Sequence, residues 1–168
     1  MGMDKAMLAV GAGPLWRRQV RVLHASGASR VIVARRRSQP DLGYGDCRFD
    51  LHSDAGPISG LMSALAVGGH AFVAVLAVDM PGIDPAWFLW LRGFCRPGSG
   101  AVARHAASVE PLAAIYPREC RSEVEGRVCR GETSVRHLAL CLAAAGRMTV
   151  VAVPPRYDGR LASLNAPA

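Results

Sequence analysis

Eight residues from Ala71 to Val78, Ala-Phe-Val-Ala-Val-Leu-Ala-Val, carry no polar side chain, and the next residue is Asp79. The run is far too short to cross a bilayer, which takes about 20 apolar residues in a helix. A strand with one wet face alternates apolar and polar residues; unbroken apolar character marks a strand covered on both faces, as in a parallel sheet between helices. The fold must therefore place helices on both sides of this strand, and a carboxylate stands where the strand ends.

The rest of the chain supplies helices and strands in alternation. Pro14 suits the start of a helix from about Leu15 to Ser26, closed by Gly27. Val31–Ala34 reads as a buried strand and Cys47–Leu51 as a weaker one. Gly56-Pro57 opens a second helix through Val67, stopped by Gly68-Gly69. Asp84-Pro85 pairs an N-cap with a first-turn proline ahead of a helix over Ala86–Phe94. Ala101–Arg104 and Leu112–Tyr116 are strand candidates flanking a polar turn; Thr133 or Ser134 caps a helix to Ala145, and Met148–Val153 is a last strand. This order implies an α/β fold: three layers, doubly wound, around a mainly parallel sheet. With 168 residues, no internal repeat and no low-complexity linker, one domain over residues 1–168 is expected.

Composition removes several function classes. Hydrophobic residues make up 51%, which excludes a disordered chain. The net charge is +7, yet only Arg35-Arg36-Arg37 forms a run and aromatics are 6%, so no nucleic-acid surface is indicated. No charged segment followed by an apolar stretch and a cleavage site opens the sequence, so a cytoplasmic protein with no membrane partner is expected. The five cysteines form no C-x-x-C pair, which points to buried or half-buried thiols rather than a disulfide framework or a zinc site.

Ligands of open parallel sheets sit beyond the carboxyl ends of the strands. Asp79 stands at such a point, before Met80-Pro81, where it suits a hard cation such as Mg²⁺ and would equally start a turn. Asp50 ends another strand, and the helix opened by Gly56-Pro57-Ile58-Ser59-Gly60 offers free N–H groups to an anion; a plain proline-initiated helix is the alternative. Gly11-Ala12-Gly13 after an apolar run invites a dinucleotide-binding reading, with the arginine run suiting NADP, although Trp16 holds the place of the third glycine. No Ser-His-Asp or Cys-His arrangement suggests a covalent mechanism.

Several segments, in order, resemble the MobA-like nucleotidyltransferases, the family of the molybdenum cofactor guanylyltransferases. Met1-Gly2-Met3-Asp4-Lys5 is similar to the end of the family signature LAGGxSxRMGxDK, and Gly13-Pro14-Leu15 to its G-x-P-L. Asp50, six residues before Gly56-Pro57-Ile58-Ser59-Gly60, resembles D-x-x-x-x-x-G-P-L-x-G. Val78-Asp79-Met80-Pro81 is similar to V-D-x-P, Pro111-Leu112 with Tyr116-Pro117 to P-L-x-x-x-Y-P, and Asn165-Ala166-Pro167 to the end of N-x-N-T-P.

The resemblance implies a Rossmann-like fold of the nucleotide-diphospho-sugar transferase type, acting as a monomer. It implies Mg²⁺-dependent transfer of a nucleoside monophosphate from GTP to molybdopterin with release of pyrophosphate; CTP is the alternative donor. Lys5 and Asp79 would be catalytic, and Asp79 would hold the metal. Lys5, Asp50, Gly56, Pro57, Gly60 and Asp79 would bind the nucleotide, with His105 and Asn165 on the acceptor side. Because the sequence begins inside the signature, the first strand and its glycine-rich loop are expected upstream of Met1. Otherwise the chain is a non-catalytic binding module, a reading to which the departures at Ser163 and Ala166 also belong.

Overall fold

The computed structural model describes residues 5–8, 13–50, 55–157 and 159–161, and at Lys5 the backbone alone. Among the described residues, five α-helices and six strands follow one another in chain order: α1 (Leu15–Ala25), β1 (Val33–Arg35), β2 (Cys47–Phe49), α2 (Pro57–Ala66), β3 (Phe72–Leu76), α3 (Pro85–Arg92), β4 (Gly100–His105), β5 (Ser108–Pro117), α4 (Arg121–Cys129), α5 (Val135–Ala144) and β6 (Met148–Ala152). Local chemistry sets the helix starts. The Asp84 carboxylate accepts from Trp87 N–H at 3.2 Å ahead of α3, and the Ser134 hydroxyl from His137 N–H at 3.2 Å ahead of α5.

The strands form a sheet ordered β3-β5-β4-β6 and a separate pair, β1-β2. β1 runs parallel to β2, and β4 parallel to β6. β5 is antiparallel to both its neighbours because it returns from β4 as a hairpin. The hairpin turn places Ala106 at φ 51°, an unusual conformation for a residue with a Cβ. Helices cover both faces, giving three layers. Against one face lie α2, α4 and α5, through Leu61, Val124 and Leu138. Against the other lie Val22 of α1 and Trp87 and Leu91 of α3.

β5 is kinked at Pro111, which has no N–H to give a ladder. Pairing with β4 shifts there from Ala101 opposite Ile115 to Ala103 opposite Glu110. Three backbone groups at the kink find other partners. Leu112 N–H donates to Glu110 Oε1 at 3.2 Å, Tyr116 OH to Pro111 O at 2.9 Å, and Trp87 Nε1–H to Ala113 O at 2.8 Å. Tyr116 and Trp87 belong to opposite core layers, so the kink is clamped from both faces of the sheet.

No pairing joins β1 or β2 to β3 among the described residues. A cavity of about 330 Å³ lies between them, lined by Val31, Ile32 and Ala71–Ala74 with the C-terminal turns of α1 and α2. Accordingly all five residues of β3 are only half-buried, although each is apolar. α4 has no counterpart in the sequence reading: beyond Val124, Arg127 and Val128 its residues are not buried, and it is laced with ion pairs such as Arg121–Glu125 at 2.7 Å.

Candidate active site

Chain direction gathers the candidate residues at one end of the molecule. α2 leads from the carboxyl end of β2 back to the amino end of β3, so the carboxyl ends of β1, β2 and β3 and the start of α2 share that end. β4 runs the same way as β3, since both are antiparallel to β5. The 330 Å³ cavity lies at the opposite end, against the first residues of β3.

Asp79 lies in the turn that leaves β3. Ala77 N–H still bonds Leu112 O at 2.7 Å, and beyond it the chain departs from the sheet. Three contacts hold this turn. Gln19 of α1, 5% exposed, points its amide nitrogen at Ala77 O (3.0 Å), Val78 O (3.4 Å) and Met80 O (2.9 Å). Arg18 Nη1–H donates to Gln19 Oε1 at 2.9 Å and so orients the amide. Met80 and Ile83, both buried, root the far side of the turn in the core. Finally Gly82 lies so close to the 159–161 segment that a Cβ there would stand 2.3 Å from Arg160 O, and the Arg160 guanidinium pairs with Asp84. The sequence marked Asp79; Gln19 and Arg160 carry no local signal of this role.

Glu110 stands on β5 one residue before Pro111, paired in register with Ala103. It is half-buried, and burial raises its carboxyl above the usual range; its N–H bond from Leu112 and the charge of Arg136 act the other way, while the negative charge of Asp79 adds to the rise. Glu110 immediately precedes the Pro111-Leu112 segment and was not marked from the sequence.

Asp50 follows β2, its N–H bonded to Arg35 O at 2.9 Å. Burial lifts its carboxyl above the usual range, opposed by the Arg36 charge. Gly56 has φ 64° and ψ −148°, a conformation that requires glycine, and Pro57 follows as the first residue of α2. Gly60 has a packing role: a Cβ there would lie 3.1 Å from Ala34 Cβ, so the glycine lets α2 approach the end of β1. Lys5 begins a short 3-10 turn, Lys5–Met7, and the next residue, Leu8, accepts from Leu15 N–H at 2.9 Å; this puts the turn beside the start of α1, at the same end as Asp79. His105 ends β4 at that end too, exposed and paired in register with Ser108, with β5 between it and β3. Asn165, like Gly11 and Ser163, lies outside the described residues.

The arginine run serves its own loop. Arg35 Nη1–H donates to Gln39 O at 2.6 Å, and the Arg35 and Arg37 guanidiniums lie 4.6 and 4.9 Å from the centre of the Phe49 ring.

A three-layer α/β domain with a carboxylate on a braced turn after β3, a glycine-opened helix starting at the same end and the Lys5 turn there has the layout expected of a nucleotidyltransferase. Comparison with known proteins agrees: residues 1–145 match the MobA-like NTP transferase domain, and the chain belongs to that family. It is 44% identical over 171 residues to a probable molybdenum cofactor guanylyltransferase of Opitutus terrae, covering 99% of this chain and 85% of the relative. Among solved structures it resembles molybdopterin-guanine dinucleotide biosynthesis protein A of Archaeoglobus fulgidus, with TM-score 0.66 and 23% identity over 99% of this chain and 86% of that one. It also resembles a Mycobacterium tuberculosis protein solved with manganese, with TM-score 0.60 and 17% identity over 90% and 82%. Family membership overturns the NADP-oxidoreductase reading of Gly11, Gly13 and the arginines.

Proposed function

We propose that this protein transfers GMP from GTP to the terminal phosphate of molybdopterin and releases pyrophosphate, using Mg²⁺ held at Asp79, as a monomer in the cytoplasm. The observation that carries the reading is Asp79 itself, braced on three sides at the carboxyl end of β3 in a chain 44% identical to a probable molybdenum cofactor guanylyltransferase. An acceptor phosphate oxygen forms a new bond to the α-phosphorus of GTP as the bond from that phosphorus to the bridging oxygen breaks, and the electron pair leaves with pyrophosphate. No side-chain nucleophile enters. The protein's part is positioning and charge neutralisation.

The residues present suit a hard divalent cation. Among the described residues no group of three or more His, Cys, Asp or Glu forms a metal cage. One or two carboxylates with the remaining ligands from phosphates and water is the usual arrangement for Mg²⁺. When bound, the ion supplies Lewis-acid stabilisation of charge on the phosphates. Lys5 adds positive charge toward the triphosphate, and the start of α2 at Gly56 and Pro57 presents N–H groups to nucleotide oxygens. Asp50 offers an acceptor to nucleotide hydroxyl or amino groups, and Gly60 keeps α2 close enough to β1 for these groups to converge. His105 and Asn165 serve the acceptor side. The net charge of +7 favours encounter with polyanionic substrates.

Ligand-induced stabilisation tests this. At a GTP concentration of about 100 times Kd, with Mg²⁺, binding adds about 2.7 kcal/mol, a rise in melting temperature of roughly 5–11 °C for a domain of this size. Asp79→Asn should remove the rise. A larger rise with CTP than with GTP would reassign the donor, and no rise with either would contradict the proposal.

A further inference from the structure

We propose that Arg18 binds phosphate oxygens of the nucleoside triphosphate, and of the pyrophosphate that leaves it, beside the Asp79 turn. The inference rests on the reading of that turn as the site of nucleotidyl transfer and adds a residue to it. Its ground is where the buried positive charge of the molecule goes. Among the described residues four arginine residues are buried or half-buried: Arg18, Arg35, Arg127 and Arg147. Three of them face carboxylates, Arg35 with Asp41 at 3.7 Å, Arg127 with Glu132 at 2.9 Å and Arg147 with Glu123 at 3.4 Å. Arg18 has the neutral amide of Gln19, which accepts from Nη1–H at 2.9 Å, and no carboxylate pairs with it among the described residues.

A half-buried cation is unfavourable without an anion beside it. A guanidinium carries five N–H donors in a planar fork that matches phosphate oxygens in pairs, and Gln19 Oε1 engages one of the five. Position puts the rest of the fork at the site. Arg18 lies in the first turn of α1, at the end of the molecule where the Lys5 turn and the carboxyl end of β3 meet. One amide group separates its guanidinium from the turn that carries Asp79, because the Gln19 nitrogen points at Ala77 O, Val78 O and Met80 O. The neighbouring Arg17 differs: it is exposed, with its guanidinium 5.2 Å from the centre of the Trp16 ring. Of these two adjacent charges, only Arg18 is tied to the Asp79 turn through Gln19.

The competing explanation is that Arg18 only orients the Gln19 amide. Removing the amide first separates the two roles, since in a Gln19→Met background Arg18 has nothing left to orient. The test is calorimetric titration of the purified protein with inorganic pyrophosphate and Mg²⁺. Arg18→Gln should bind roughly tenfold to a hundredfold more weakly than native, the loss of a charge-assisted hydrogen bond. Arg18→Gln should also weaken binding further when added to Gln19→Met. Arg18→Lys, which keeps the charge but not the fork, should fall between native and Arg18→Gln. Arg17→Gln loses the same charge from an exposed position and should stay within about threefold of native. Equal losses in Arg17→Gln and Arg18→Gln, or no added loss in the Gln19→Met background, would overturn the proposal. Native affinity in Arg18→Gln with loss in Asp79→Asn would overturn the role of Arg18 and leave the reading of Asp79 standing. No pyrophosphate binding by the native protein would overturn both.

Discussion

Replacing Gln19 with methionine removes the amide that braces the Asp79 turn and keeps the length and flexibility of the side chain. The Gln19 amide nitrogen carries two protons and faces three carbonyls, at 2.9, 3.0 and 3.4 Å. The two shorter contacts are the full hydrogen bonds. Each contributes about 0.5–1.5 kcal/mol net, and a carbonyl left buried without a partner costs about 1–3 kcal/mol. Partial access of water to the exposed side of the turn lowers the second figure, so a loss of about 2–3 kcal/mol is expected. For a domain of this length that corresponds to a fall in melting temperature of roughly 4–12 °C. Urea unfolding followed by tryptophan fluorescence measures the change directly, and an unchanged m-value would show that the loss comes from stability rather than from a different unfolded state. Gln19→Glu should lose at least as much, since a carboxylate accepts but cannot donate to carbonyls. A Gln19→Met protein within about 0.5 kcal/mol of native would refute the bracing argument, because it would put the bonds below the ordinary net value of a buried hydrogen bond.

Gly82→Val should destabilise by about 1–3 kcal/mol and displace the 159–161 segment, since a Cβ would meet Arg160 O at 2.3 Å; native protease resistance of that segment would refute it. Gly60→Val should push α2 from β1 through the 3.1 Å contact with Ala34, weakening nucleotide binding more than Gly13→Val, where a Cβ meets nothing within 4 Å. Burial pushes the Cys120 thiol up to about 12 and the Cys95 thiol to about 11, so both stay protonated at pH 8 while exposed Cys129 reacts first with a thiol reagent. Their raised values favour the folded state below the unfolded thiol range. The melting temperature should therefore fall as pH rises from about 9 to 11, and a flat profile across that interval would contradict the burial argument.

The strands were legible where apolar character was continuous. The run ending at Val78 contains β3, though the paired segment stops at Leu76 because the chain turns out of the sheet to present Asp79. Helices with a proline start or a polar cap were legible too, and α5 begins where the Ser134 cap allows. The direction of β5 was not. Its turn, His105-Ala106-Ala107-Ser108, has no glycine or asparagine to mark a hairpin, and Ala106 takes a positive φ under tertiary constraint. α4 escaped because two valines and a run of charges look like a solvated loop until Val124 and Val128 meet the core.

In the candidate site, Asp79, Asp50 and Gly56 could be marked from position in the chain, since each follows a strand or opens a helix. Gly60 sits where expected but packs against Ala34. Gln19 and Glu110 could not be marked at all. One is a glutamine on an arginine-rich helix whose partners lie about 60 residues away, and the other gains meaning only at the irregularity of β5, where it accepts from Leu112 N–H.

Transfer of label from GTP carrying ³²P at its α-phosphate tests the account most directly. With molybdopterin and Mg²⁺, the protein should move the labelled GMP to the acceptor and release one unlabelled pyrophosphate for each transfer, and folded Asp79→Asn should do neither. Label that stays in GTP, with the protein folded and with CTP equally inert, would contradict the account and leave a domain that binds without catalysing.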